Sequence, residues 1–438
     1  MNDSSKRLFP AGFLWGTATS AHQVEGGNTN NDWWEWEQIA GHIRDGSTSQ
    51  QACDHYHRYN EDWALARDLG QNAHRLSIEW SRIEPQEGVW SEAEIGHYRD
   101  VLLSLRSHSL EPMVTLHHFT NPRWFAGKGG WENPAAVRAF ANYVGRVVSE
   151  LKDLCSLWIT INEPTVYFYE GYLTRRWPPG KGGIGRGLCA LRTMIRAHGR
   201  AYGFIHQIQP HAQVGIAHNM RLLDPLNPHS LLDRLVVDAE DRAFNRVLLW
   251  ALLDGYLRFP LGKGEFVPEA ANSLDFIGLN YYTRDMVSFA MRGATALVAR
   301  NVARPGAETD LFGWELYPEG IYRLLKELAV YQKPIYITEH GLADGTDTQR
   351  PGCIIRAVQA MWQALAEGVS LRGYFHWSLL DNFEWAEGFS IPFGLVAVNR
   401  QTMERRVKES GRVYARICAA NGLPPDLLEQ YEVQKAMR

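Results

Sequence analysis

The sequence predicts an α/β fold, a single (β/α)8 barrel running from residue 1 to 438. Two observations carry that expectation. Strand-like and helix-like periodicities alternate from one end of the chain to the other, with no linker, repeat or low-complexity segment between them. Several strand candidates are near-continuous apolar runs, as expected for parallel strands covered on both faces. Length alone would suggest two or three domains, but α/β barrels routinely exceed the usual domain size. A doubly wound open sheet is the alternative.

The strand candidates, in order, are Phe13–Thr19, Asn72–Trp80, Pro112–Phe119, Leu157–Glu163, Gln213–Asn219, Leu274–Tyr282, Pro334–Glu339 and Gly373–Leu380. Amphipathic helices fill the intervals. Asn133-Pro134 reads as a cap followed by Pro at the first helical position, and Val137, Phe140, Val144, Val147 and Leu151 then mark one face. Pro318 to Val330 repeats the pattern with Ile321, Leu324, Leu325 and Leu328. Ile354, Val358, Met361, Trp362 and Leu365 do so again before Gly368. In a barrel of this kind, chemistry sits at the C-terminal ends of the strands.

Two of those ends are glutamates. One run reads Leu157-Trp-Ile-Thr-Ile-Asn-Glu163-Pro164 and the other Pro334-Ile-Tyr-Ile-Thr-Glu339-His340-Gly341. An ionisable side chain at the mouth of a buried strand is costly unless it has a partner or a task. Two carboxylates across one bond are the equipment of glycosidases, one protonated to donate and one ionised to attack or to activate water. The simpler reading, hydrogen-bonded anchors for strand ends, suits one such residue better than two.

Bulk properties narrow the partners. The formal net charge of −4 leaves no electrostatic footprint for nucleic acid or an anionic membrane. No apolar stretch approaches the roughly 18 residues that span a bilayer, and the N-terminus has no secretory apolar segment. The five cysteines, Cys53, Cys155, Cys189, Cys353 and Cys418, are scattered and odd in number, as in a reduced, cytoplasmic chain. With 16 Trp, whose faces stack on sugar rings, composition leans towards a carbohydrate ligand, although a Trp-rich core explains it equally well.

Longer motifs go further. Thr160-Ile-Asn-Glu163-Pro164 and Ile337-Thr-Glu339-His-Gly341 resemble the acid/base and nucleophile signatures of glycoside hydrolase family 1. Phe13-Leu-Trp-Gly-Thr-Ala-Thr-Ser-Ala-His-Gln23-Val-Glu-Gly26 resembles its N-terminal signature. Arg75-Leu-Ser-Ile-Glu-Trp-Ser-Arg82, Asp275-Phe-Ile-Gly-Leu-Asn280-Tyr-Tyr282, Gly313-Trp-Glu-Leu-Tyr-Pro-Glu-Gly320 and Trp377-Ser-Leu-Leu-Asp-Asn-Phe-Glu384-Trp385 are further matches. The resemblance runs from about Phe13 past Ser410.

It implies a retaining β-glycosidase acting on small β-glycosides and oligosaccharides, with no cofactor and no metal. Glu339 would be the nucleophile and Glu163 the acid/base. Arg75 would lie beside Glu339, where a fixed cation favours the ionised carboxylate, and Tyr282 would donate to the same group. Gln23, His118, Asn162, Asn280, Glu384 and Trp385 would grip the sugar. Trp377 would form its stacking floor, and Trp314 an aglycone-side platform. Family members acting on 6-phosphorylated sugars carry a small polar residue where Glu384 stands. A carboxylate there repels phosphate, which points to unphosphorylated glucosides, with galactosides or fucosides as further substrates. A transglycosidase would use the same residues, and a non-catalytic glycan-binding barrel would lack one of the two carboxylates.

The chain departs from the family pattern at four places. Phe119 and Thr165 each replace a common Trp, Pro392 stands where many members carry Arg, and Val398-Asn399 replaces Val-Asp. Other signals are weak. Gly180-Lys-Gly-Gly-Ile-Gly185 fits a dinucleotide fingerprint only formally, because it follows Trp177-Pro-Pro and no strand. His55-Tyr-His57 and His117-His118 have no H-E-x-x-H or paired-Cys motif to support a metal, and adjacent residues on a strand face opposite ways. Arg405-Arg406 with Lys408 reads as a solvated face.

Overall fold

The computed structural model describes residues 7–290 and 299–436. Eight parallel strands close into one barrel. They are β1 (Leu14–Ala18), β2 (Ala73–Ser77), β3 (Glu111–Thr115), β4 (Leu157–Asn162), β5 (Gln213–Asn219), β6 (Phe276–Tyr281), β7 (Ile335–His340) and β8 (Leu371–Trp377). Each pairs with its neighbours in chain order, and β8 closes on β1. Every expected strand is present, so the open-sheet alternative falls.

Helices cover the outside: α1 (His55–Asp68), α2 (Glu92–Ser107), α3 (Ala136–Leu151), α4 (Ile184–Ile208), α5 (Val247–Asp254), α6 (Gly320–Ala329), α7 (Arg350–Ala366) and α8 (Glu409–Ala420). The expected faces are the buried ones, with Phe140, Val144, Val147 and Leu151 on α3 and Ile321, Leu324, Leu325 and Leu328 on α6. The start of α3 differs from expectation. Asn133 accepts from the Ala135 N–H at 2.9 Å in a turn that precedes the helix, and α3 begins at Ala136. No helix among the described residues is long and apolar enough to cross a membrane.

Inside the barrel, Met113, Leu157, Ile159, Phe276 and Phe375 fill the floor below the site. Two glycines make room for the rings. A Cβ on Gly16 would meet Phe375 Cδ1 at 2.7 Å, and one on Gly215 would meet Phe276 Cε2 at 2.5 Å. The pairing slips at the upper end. Register shifts fall between Leu279 and Asn280 in β6–β7, between Ile337 and His340 in β7–β8, and between Ile159 and Asn162 in β4–β5. Such irregularities re-aim side chains locally, and here they occur where Asn162, Asn280 and Glu339 project.

The strand ends are the least accurately anticipated features. Trp80 opens a short helix, Trp80–Ile83, and is not part of β2. His118 and Phe119 lie beyond β3, where Phe119 has φ 71°. The basic cluster near residue 405 is a clear correction. The Arg405 side chain is 1% exposed and pairs with Asp62 at 2.9 Å, while Lys408 pairs with Asp381 at 2.7 Å. Only Arg406 of the three presents a solvated face.

Candidate active site

Glu163 directly follows β4, at φ 45° and ψ 59°, before Pro164 opens a short helix. Left-handed backbone is uncommon for a residue with a Cβ and recurs at functional sites. Here it is held by backbone bonds, the Glu163 N–H to the Ala217 carbonyl at 2.8 Å and the Val166 and Tyr167 N–H groups to the Glu163 carbonyl at 3.0 Å. Pro164 costs nothing at the first helical position, whose N–H would be unpaired anyway. Glu339 lies in β7, beside Asn280 of β6 in the pairing. Both carboxylates are buried, at 6% and 3% exposure.

Their surroundings differ. Glu339 Oε1 accepts from Arg75 Nη1 at 2.5 Å, and its Oε2 from the Tyr282 hydroxyl at 2.7 Å. Arg75, itself buried, is fixed by Thr115 Oγ1 at 3.1 Å, the Thr338 carbonyl at 3.1 Å and Asn162 Oδ1 at 2.6 Å. Burial and then the charge of Glu339 push the Tyr282 phenol well above its ordinary value, so it stays a donor. Glu163 has only neutral donors: Asn280 Nδ2 at 2.7 Å and Asn219 Nδ2 at 3.0 Å, both to Oε1. Burial and then the negative charge of Glu339 push its carboxyl up to about 7. One fold thus holds two carboxylates with opposite electrostatic support.

The other expected residues join the same cluster. Asn162 Nδ2 lies 3.3 Å from His118 Nε2, and Asn280 Oδ1 accepts from Thr338 Oγ1 at 2.6 Å. Burial and then Arg75 hold the His118 imidazole well below its usual range, hence neutral, and its buried Nδ1 has no partner among the described residues. The ring lies between Trp377 and Trp385, nearly parallel to both at 5.9 and 6.0 Å. Gln23 Nε2 donates to the Phe383 carbonyl at 2.9 Å and reaches Glu384 Oε2 at 3.4 Å. Trp377 hydrogen-bonds Glu384, but burial dominates and raises that carboxyl to about 8. Trp314 packs against Tyr282 at 5.8 Å and stacks on Phe312 at 4.5 Å, at the side of the site. Among the described residues no three His, Cys, Asp or Glu side chains are grouped to hold a metal.

Sequence reasoning missed Asn219, Thr115 and Thr338. Asn219 carried a usable signal, since it ends β5 as Glu163 and Glu339 end their own runs. The two threonines carried none, because a hydroxyl on a strand is commonplace. Three of the four departures find local answers, and the structure explains nothing of Thr165. Phe119 packs edge-on against Trp177 at 4.9 Å and Trp385 at 5.2 Å, so Trp177 adds aromatic surface beside the smaller ring. The Pro392 carbonyl accepts from Arg350 Nη2 at 2.9 Å, which brings a guanidinium from α7 to that segment. Asn399 Oδ1 accepts from the Gln401 and Thr402 N–H groups in the turn joining strands Val396–Val398 and Arg405–Val407. The glycine-rich segment does precede a helix, α4, but no strand leads into it.

The sequence profile of glycosyl hydrolase family 1 matches residues 5–423. The chain belongs to that family. This family 1 enzyme is 32% identical over 506 residues to a beta-galactosidase of Pyrococcus woesei, covering 97% of this chain and 99% of the relative. A solved beta-glycosidase from Pyrococcus horikoshii superposes with a TM-score of 0.91 at 37% identity, covering 97% of this chain and 98% of that one. A beta-glucosidase from Thermotoga maritima, solved in complex with glucoimidazole, superposes at 0.89 with 33% identity, covering 95% and 100%. The glycoside hydrolase assignment of this family 1 enzyme therefore rests on nearly its whole length.

Proposed function

We propose that this enzyme is a retaining β-glycosidase that removes terminal, non-reducing β-D-glucosyl residues by double displacement, with galactosides or fucosides as further substrates. The observation that carries the reading is the unequal support of the two carboxylates. Glu339, bonded by Arg75 and Tyr282, is suited to attack the anomeric carbon as an anion. Glu163, raised by burial and by Glu339, is suited to protonate the leaving oxygen. Once the glycosyl-enzyme ester forms, the negative charge of Glu339 is gone. The second-largest cause of the Glu163 shift goes with it, and Glu163 becomes the base for water. Asn162 and Asn280 lie between the two and would contact the sugar there. The enzyme would work in the cytoplasm on small glycosides.

The stereochemical test is NMR of the first-formed sugar. β-Glucose must precede its α-anomer, and the α-anomer appearing first would exclude double displacement. The pH dependence follows from Glu163. It donates its proton in the first step, so kcat/KM is expected to fall as pH rises through about 7. Glu163→Gln, assayed with a substrate whose leaving group needs no proton, should lose that upper limb.

Glycone choice depends on Glu384. Its carboxyl is raised to about 8 by burial, and Glu339 and Glu163 add to the shift, so a phosphate there would share a buried space with three acidic groups. The cation of the cluster gives no relief. Arg75 is committed to Glu339 and Asn162, and a 6-phosphate would enter beside acidic groups. A nitrophenyl β-glucoside is expected to be cleaved at least 100-fold faster than its 6-phospho form at equal concentration, about 3 kcal/mol of discrimination. Preference for the phosphorylated substrate would refute this reading of Glu384.

A further inference from the structure

We propose a second, non-catalytic site for a neutral sugar on the outer wall of the barrel. It lies between the segment 84–90, the helix Arg123–Gly127 and the start of α3. A cavity of about 360 Å³ opens there, within the range of small-ligand sites. Two half-buried indoles, Trp90 and Trp124, line it, with Phe125 buried behind them.

The wall is fixed before any ligand arrives. Trp124 Nε1 donates to the Glu84 carbonyl at 2.9 Å, and its ring meets Trp80 edge-on at 5.8 Å. Both Glu84 carboxylate oxygens are used, one by Trp80 Nε1 at 2.7 Å and one by the Gly88 N–H at 2.8 Å. The rim supplies the polar groups. Glu87 and Lys128 form an ion pair across it, so neither is a free charge. Arg138 and Asn142 also line the cavity, and their side chains have no hydrogen-bond partner among the described residues.

Two indoles in one cavity with exposed donors, Arg138 and Asn142, suit a ring with an apolar C–H face and a border of hydroxyls. A purely apolar ligand would leave the donors unused, and an anion would find a single unpaired cation, Arg138. The cavity is separate from the candidate active site. Phe125 packs on Trp80 at 4.7 Å and on Trp131 at 5.2 Å, and Trp131 meets His117 at 5.1 Å. His118, the next residue, faces Trp377 and Trp385. A sugar held here is therefore retained without being cut, near an enzyme that consumes such sugars.

The test uses the full-length enzyme saturated with glucoimidazole, with loss of aryl β-glucoside hydrolysis verifying the block. Failure of the block would count against the active-site reading and is seen before the second site is probed. Cellotriose is then titrated by saturation-transfer NMR. The expected result is saturable binding that weakens about tenfold in Trp90→Ala and measurably in Arg138→Ala. Both unblocked variants should hydrolyse the aryl glucoside at the wild-type rate. Arg138 is exposed, whereas Trp90 packs against the core, so an unchanged circular dichroism melt of Trp90→Ala is required before its binding is read. Absence of saturable binding would overturn the proposal. So would binding that both variants retain, or displacement of cellotriose by inorganic phosphate.

Discussion

Glu339→Gly is expected to lower turnover of an aryl β-glucoside by roughly five orders of magnitude, the scale seen when a covalent nucleophile is removed. The loss has two sources. No group remains to form the glycosyl ester, and Arg75 keeps a buried positive charge whose partner has gone. The vacancy left by the side chain is bordered by the same cation, so it should admit a small anion. Added azide would attack the anomeric carbon from the nucleophile's side while Glu163 protonates the leaving oxygen. One displacement inverts the centre, and the product expected by NMR is the α-glycosyl azide. Wild-type turnover in the variant, or a β-azide product, would exclude Glu339 as the attacking group.

Glu163→Ala should act on the other half of the cycle. With a dinitrophenyl glucoside the leaving group needs no proton, so the glycosyl-enzyme forms quickly and then waits for a base. A burst of phenol followed by a steady rate reduced about 10²–10⁴-fold is expected. Azide needs no deprotonation, so it should restore the steady rate and yield the β-glycosyl azide, the product of two inversions. With a poor leaving group, azide should give no rescue, because the first step is then rate-limiting. Equal losses for good and poor leaving groups would show that Glu163 does not handle the proton.

The barrel is legible in the sequence because strands buried on both faces must be apolar along their length. Leu157–Asn162 and Phe276–Tyr281 therefore stand out without any partner information. Strand ends are harder to read, because they are decided by backbone conformation as well as hydrophobicity. Glu163 leaves β4 through a left-handed turn that tertiary hydrogen bonds maintain, and nothing in the local sequence specifies it. The site is legible where side-chain chemistry is costly to bury, as with Arg75, Glu163 and Glu339. Supporting groups are less visible. Thr115 and Thr338 matter only because β3 and β7 bring them to Arg75 and Asn280. Arg405 shows the converse error, since a run of basic residues reads as surface until Asp62, far away in the chain, neutralises one of them in the interior.

The register slips at the tops of β4, β6 and β7 have an evolutionary consequence. They aim Asn162, Asn280 and Glu339 from within the ladder itself, and Glu163 follows Asn162 directly, so the reacting groups owe their placement to the scaffold and little to the longer connecting loops. Trp314 and Phe312, by contrast, lie outside that ladder, on the segment between β6 and α6. Mutation can then explore new leaving groups while the bond-breaking machinery stays tuned. The same chemistry can thereby be passed from one diet of glycosides to another without being rebuilt.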